Sequence, residues 1–245
     1  MIGIVAALTF RQLLGRGRTI LIGLLALLPV GLAIVYRLGS QDTDPVAWVG
    51  QTLLDGLVVS TLLPLTALVF GTAALGAEIE DGTAVYLLAK PVPRSRIILA
   101  KLLAAWVVTT ATVLTSGLAA GAIGLSGERG GGLLPGFGVA LALGALVYCA
   151  LFVMLSVVTS RSLIAGLAYV FIWEGVINGL FAGTRLLSVR HYTLGVADAF
   201  IDLPANVFEA KLGSVTALVM MVVVAGGSTW YAVRRLERFE IGETS

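Results

Sequence analysis

Six apolar stretches recur along the chain, over residues 19–36, 57–77, 99–125, 137–158, 162–184 and 212–233. Each is close to the roughly 20 predominantly apolar residues that a helix needs to cross a bilayer core. Four are free of charge, the third begins over Lys101, and the fifth is interrupted by Glu174. Pro29 and Pro64 fall inside the first two, which membrane helices tolerate when neighbours satisfy the freed carbonyls. Ahead of them, Met1, Ile4, Val5 and Leu8 recur at helical spacing, with Arg11 and Gln12 beyond. That pattern predicts a short helix over residues 1–14 lying on the membrane surface, with a ragged start of the first span as the alternative. No basic residue precedes its apolar face, so the order of a cleavable signal peptide is absent. The pattern as a whole predicts an all-α integral membrane protein: one transmembrane domain over residues 1–245, with six transmembrane helices and an N-terminal interfacial helix.

Composition agrees and removes the other classes. Hydrophobic residues make up 58% of the chain and charged residues 12%, with a mean hydropathy of +1.00. An average soluble domain carries about 25% charged residues, because its surface must be wetted; half that cannot cover a water-exposed globule of 245 residues. A formal net charge of +2 gives no electrostatic ground for nucleic acid. The single cysteine, Cys149, sits in an apolar run and excludes an internal disulfide.

The distribution of charge gives an orientation. With six spans both termini share a side, and that side holds Arg11, Arg16, Arg18, Lys90, Arg94, Arg96, Lys101, Arg161, Arg234, Arg235 and Arg238. The other side holds Arg37, Arg129, Arg185, Arg190 and Lys211, together with Asp42, Asp44, Asp55, Asp198, Asp202 and Glu209. Cytoplasmic loops carry the excess of Lys and Arg, so both termini are expected in the cytoplasm. The last outer connection, 185–211, keeps Tyr192, Phe200, Leu203, Val207 and Phe208, and is expected to form short helices that lie on or dip into the outer face.

Several chemistries lack their residues. Lys90, Lys101 and Lys211 are the only lysines, and none follows a glycine-rich phosphate loop. One histidine, His191, cannot build a zinc site of the usual spacing, and no G-x-S-x-G elbow occurs. Met154, Met220, Met221 and Cys149 form no thioether or thiolate cluster in the sequence. No cofactor is therefore expected in this chain, nor a covalent catalytic step.

The longest inner connection is different in kind. It begins Glu78, Ile79, Glu80, Asp81, as a helix start favours, continues with Val85, Leu88 and Ala89 at helical spacing, and stops at Pro91 and Pro93. Arg94, Arg96 and Lys101 follow, expected at headgroup depth. A plain cytosolic hairpin whose basic end meets anionic lipid fits the same residues. The order Glu80, Gly82-Thr83, Leu87-Leu88, Pro91-Val92-Pro93-Arg94 and Lys101 nonetheless resembles the signature of ABC-2 type transporter permeases, the membrane subunits of bacterial ATP-driven exporters. That signature has an acidic residue before Gly-Thr, a Leu-Leu pair, Pro-x-x-Arg and a downstream Lys, between spans two and three. The resemblance extends over the interfacial helix, the spans, the apolar outer loop and the basic tail.

The resemblance implies a bacterial plasma-membrane permease that pairs with a second copy of itself or a related permease. It implies a cytosolic coupling helix between spans two and three that docks a separate ATPase subunit, which binds the ATP and Mg. Glu78, Glu80, Gly82, Thr83, Leu87, Leu88, Pro91 and Arg94 are the docking candidates. The missing phosphate loop is what such a division of labour requires. Membrane lipid is the remaining partner.

Glu174, in Phe171-Ile172-Trp173-Glu174-Gly175, is the one acidic residue inside a span. An exposed charge there costs several kcal/mol, so it reads as a polar point on a substrate path, a proton relay, or a hydrogen-bond anchor between helices. A span that ends near Trp173, wetting Glu174, is the plainer alternative. Two further functions stay open: an ion-coupled secondary transporter using Glu174, and a non-transporting membrane scaffold. The pairs Gly117/Gly121 and Gly175/Gly179 have the spacing of close helix crossings and read as packing sites.

Overall fold

The computed structural model describes residues 16–39, 43–80, 93–180, 182–204 and 208–238, with the backbone alone at 16–19, 77–80, 179 and 182. The expected surface helix over 1–14 lies outside these residues, as do Gly82, Thr83, Leu87, Leu88 and Pro91 of the expected coupling helix. Every regular element among the described residues is helical. Helix α1 is Arg16–Leu38. Helix α2, residues 45–80, starts with the turn Pro45–Ala47, continues as a π-helix over Trp48–Leu62 and finishes as the α-helix Leu63–Glu80. Helix α3 is Arg94–Gly124 and α4 is Leu133–Val158. Helix α5, residues 162–180, again contains a π stretch, Tyr169–Ile177. A 3₁₀ turn, Ala182–Leu187, leads into the short α6, Val189–Asp198, and α7 is Ser214–Glu237.

Five helices are long and apolar enough to cross a membrane, and the fifth expected span is not among them: Ser162–Ile177 is a shorter apolar helix. Its C-terminal part is interrupted, because the helical run stops at Leu180 and the chain turns through the 3₁₀ segment. The second span instead starts twelve residues before the expected 57. Asp44 caps it by accepting from Val46 N at 3.2 Å, and Pro45 supplies the pre-set φ of a first helical residue. Gln51 and Asp55 hid this extension in the sequence, since polar residues broke the apolar run. At the π-to-α junction stands Pro64, which has no N–H to donate.

Helix α4 is the centre of the bundle. It packs against α2, α3, α6 and α7, and its Phe137, Tyr148 and Phe152 are fully buried. Helix α1 packs chiefly on α3 and turns Ile20, Leu21, Leu24 and Leu27 outward, each more than 60% exposed. Val215, Val222 and Trp230 of α7 are equally exposed. Apolar rows of that size suit hydrocarbon and not water. Aromatic residues mark both ends: Tyr36 stacks on Trp48 at 3.8 Å, and at the opposite end the Arg234 guanidinium lies 5.5 Å over the Trp230 ring. Such belts sit at membrane–water boundaries. The chain is a multi-pass membrane protein.

Lys101 is turned into the bundle and does not reach its surface. It is 1% exposed, and its ammonium donates to the Ala74 carbonyl at 2.5 Å, tying α3 to α2. Of the two small-residue pairs, Gly117 and Gly121 do face neighbours, since a Cβ would come within 3.1 Å of Val58 and 2.7 Å of Leu134. Gly175 meets only its own helix.

The glycine turn before α4 carries a testable demand. Gly132 has φ +87, a region L-residues enter at about 1–2 kcal/mol, and a Cβ there would collide with the Phe200 carbonyl. Gly127 has φ +93 with open space around it. Gly132→Ala should therefore lower the thermal unfolding midpoint well beyond Gly127→Ala, which meets the backbone strain alone; equal shifts would refute the close approach of the 198–204 segment.

Candidate functional site

One cluster of buried polar groups converges on Glu174. This side chain is 7% exposed and accepts three hydrogen bonds: from Tyr169 Oη at 3.0 Å, from Ser188 Oγ at 2.5 Å and from the backbone N–H of Val189 at 2.8 Å. Three donors with no acceptor are the environment that an acceptor-only carboxylate requires. Val189 is the first residue of α6 and Ser188 its N-cap, so the carboxyl group lies at a helix N-terminus, where the dipole favours negative charge. Glu174 thereby fastens α5 to the start of α6.

The serine also settles the histidine. Ser188 Oγ has one proton, and it goes to Glu174. The contact of 2.9 Å between Ser188 Oγ and His191 Nδ1 must then be donated by the ring, which leaves Nε2 as the acceptor of a neutral imidazole. Burial, and then the charges of Arg190, Arg185 and Lys211, lower the His191 pKa to about 4; the ring is neutral at pH 7. The order of donation runs from histidine to serine to carboxylate. In a hydrolytic triad the serine donates to the histidine, so this cluster anchors and does not activate a nucleophile.

Around the anchor opens a cavity of about 710 Å³. The π stretch of α2 contributes Gln51 and Asp55, the π stretch of α5 contributes Glu174 and Gly175, and Asn178 follows directly. Arg185 comes from the 3₁₀ turn, Arg190, His191 and Leu194 from α6, and 208–211 complete the wall. π segments are rare and concentrate at functional sites; here two of them aim polar side chains into one space. The Arg190 guanidinium closes the α2 side, with Nε at 3.1 Å and a terminal nitrogen at 2.7 Å from Asp55 Oδ1. Trp173 Nε1 donates to Leu187 O at 3.0 Å and fixes the turn between α5 and α6.

Of the docking candidates, Glu78, Glu80 and Arg94 are among the described residues, and they lie at the other end. Helix α2 runs without a break through Glu80, so Glu78 and Glu80 occupy its last turn and not the start of a new helix. Arg94 opens α3 directly after Pro93. Since Lys101 meets Ala74, a rise of about 1.5 Å per residue carries α2 about 9 Å onward to Glu80 and α3 about 10 Å back to Arg94. The two ends of the 81–93 segment emerge at one level. Arg161 belongs to the same end: Ser162 Oγ would be 3.2 Å from a Cβ at Gly76.

Comparison with known families decides the relationship. The model described as ABC-2 family transporter protein matches residues 4–187, three quarters of the chain. The chain belongs to the ABC-2 transporter family. Its members are membrane subunits for transport and are not themselves catalytic. No curated protein matches the chain. The family match ends at Leu187, one residue before the cap of α6, so it covers the α2 and α5 walls of the cavity but not the α6 wall.

Glu174 was legible as the one acidic residue in a span. Ser188, Asn178, Asp55 and Arg190 were not singled out, although Ser188 three residues before His191 is a helix-start pattern that could have located α6.

Proposed function

We propose that this chain is the permease subunit of an ATP-driven ABC exporter in a bacterial plasma membrane. It pairs with a second copy of itself or a related permease, and docks a separate ATPase subunit through residues 78–94. The family match over residues 4–187 carries the reading. On this reading the 162–184 stretch acts as the fifth of six membrane-associated passes, with both termini in the cytoplasm. Closure of the ATPase pair pushes on the segment between α2 and α3, and rigid-body movement of the bundles alternates access. Two acidic residues in the last turn of α2 support the docking role. Negative charge there works against the helix dipole by about 0.3–1 kcal/mol each, so helix stability does not account for Glu78 and Glu80. On this reading the two carboxylates meet a partner surface of opposite charge.

Affinity isolation of the chain from its own membrane should bring down a polypeptide with a phosphate loop, and vesicles containing both should hydrolyse ATP. Recovery of the chain alone, with transport driven by an imposed proton gradient in ATP-depleted vesicles, would refute the proposal in favour of the ion-coupled reading. The orientation has its own measurement. Cysteines introduced at Ser40 and Ala205 should react with a membrane-impermeant thiol reagent in intact cells, while one at Ser245 should not; labelling at Ser245 reverses the topology.

A further inference from the structure

We infer that the cavity beside α6 binds an anionic group, phosphate or carboxylate, that also carries an N–H or O–H donor. The inference rests on the charges and hydrogen-bonding atoms left over once the cavity's internal partners are assigned. Asp55 and Arg190 satisfy one another at 2.7 Å. Glu174 is satisfied by its three donors. Two cations then remain on the wall, Arg185 and Lys211, neither of which makes an ion pair among the described residues. Both line the same cavity as His191. An anion in this partly enclosed space is attracted by both charges and can form a charge-assisted contact with either.

The acceptors specify the rest of the ligand. Asn178 is 5% exposed and lines the cavity. Its amide is oriented by Nδ2, which donates to the Trp173 carbonyl at 3.0 Å, so the remaining atom is Oδ1, an acceptor. Oδ1 is buried without a hydrogen-bond partner among the described residues. A buried acceptor left in that state costs about 1–3 kcal/mol, and a turn of the side chain toward the cavity would let a ligand donor remove the penalty. His191 Nε2 is a second acceptor, since Nδ1 is committed to Ser188. Glu209, also on the wall, attracts a donor that is positively charged. The complement of this set is an anion with hydroxyl or ammonium groups beside it. A bare anion leaves Asn178 unpaired, and a bare cation meets Arg185 and Lys211. Glycerol phosphate and amino-alcohol phosphate head groups have this chemistry, whether attached to a lipid or free in solution.

The inference deepens the proposed function by naming a ligand class for the cavity, but its test is a binding measurement that needs no ATPase. Failure of docking at residues 78–94 would leave it standing, and the reverse holds too. Binding of three probes to the purified full-length chain distinguishes the outcomes: dihexanoyl phosphatidylglycerol, dihexanoyl phosphatidylcholine and glycerol 3-phosphate. Phosphatidylcholine has the same phosphate but no donor in its head group. Phosphatidylglycerol should bind saturably and at least tenfold more tightly than phosphatidylcholine. The double variant Arg185→Gln with Lys211→Gln should weaken it at least tenfold, while Arg129→Gln, an exposed charge away from the cavity, should not. Asn178→Leu should narrow the preference for phosphatidylglycerol over phosphatidylcholine, leaving only the part due to the difference in head-group charge; an unchanged preference would overturn the role of the donor. Glycerol 3-phosphate binding as tightly as the lipid makes the ligand a free solute; binding of the lipid alone makes it a head group with its tails. Equal binding of the two lipids by the unaltered chain, no effect of the double substitution, or no saturable binding of any probe would each overturn the inference.

Discussion

Glu174→Leu is expected to lower the thermal unfolding midpoint of the purified chain by about 10 °C, whereas Glu174→Gln shifts it by only a few degrees. Leucine fills much of the volume but accepts no hydrogen bond. The Tyr169 hydroxyl, the Ser188 hydroxyl and the Val189 N–H then lose their acceptor together. Each buried donor left unpaired costs about 1–3 kcal/mol, and a loss of several kcal/mol corresponds to about this shift for a chain of such size. Glutamine keeps one carbonyl oxygen for Val189 N and Tyr169 Oη, and its NH₂ can donate to Ser188 Oγ once that hydroxyl turns. Transport separates the anchor from a relay. Glu174→Gln should retain transport at every pH, because an amide anchors α6 but carries no proton. Loss of transport with the midpoint preserved would restore the ion-coupled reading.

How far the sequence exposes this molecule depends on what each residue's signal measures. Uniformly apolar runs located α1, α4 and α7 within a few residues, because transfer of side chains to hydrocarbon dominates there and composition reports it directly. The start of α2 escaped because Gln51 and Asp55 look like a loop to any measure of apolarity. They are helical because the π turn carries them to the cavity and Arg190 neutralises the carboxylate. The interruption of α5 had the same origin. Glu174 marks a place where the helix is polar on one side, and its partners come from residues 188 and 189, across a turn whose path local sequence does not specify.

Burial misled the reading of Lys101. A lysine seven residues into α3, close behind Arg94 and Arg96, reads as a headgroup contact. It is buried instead, because Ala74 and its neighbours leave room for the ammonium to reach a backbone carbonyl. An ammonium taken out of water must be paired, and this contact ties α3 to the later part of α2. Movement imposed on residues 78–94 would therefore reach the bundle as a displacement of two helices together, which is the mechanical property a coupling segment needs.

Combining Glu80→Lys with Leu88→Asp is expected to leave the chain inserted and folded but to abolish co-purification of the ATPase. The position of Glu80 makes this experiment sharper than the sequence alone suggested. At a helix start, lysine would oppose the dipole and weaken the helix; in the last turn of α2 it favours the dipole by about 0.3–1 kcal/mol. Loss of the partner could then not be blamed on an unravelled helix end. The lost affinity would come from charge reversal against basic groups on the partner and from Leu88. An apolar anchor of that size contributes about 1.5–3 kcal/mol when buried in a partner groove, and an aspartate in its place brings the further cost of desolvating a charge. A combined loss of about 3 kcal/mol or more reduces association over a hundredfold, enough to remove the ATPase from a washed affinity column. The matched changes at the other end, Asp202→Lys with Val207→Asp, alter the same charges and the same class of apolar residue and should leave association intact. If the inner double variant still recovers its ATPase in normal amount, residues 78–94 are not the docking surface, and the acidic turn of α2 needs another partner.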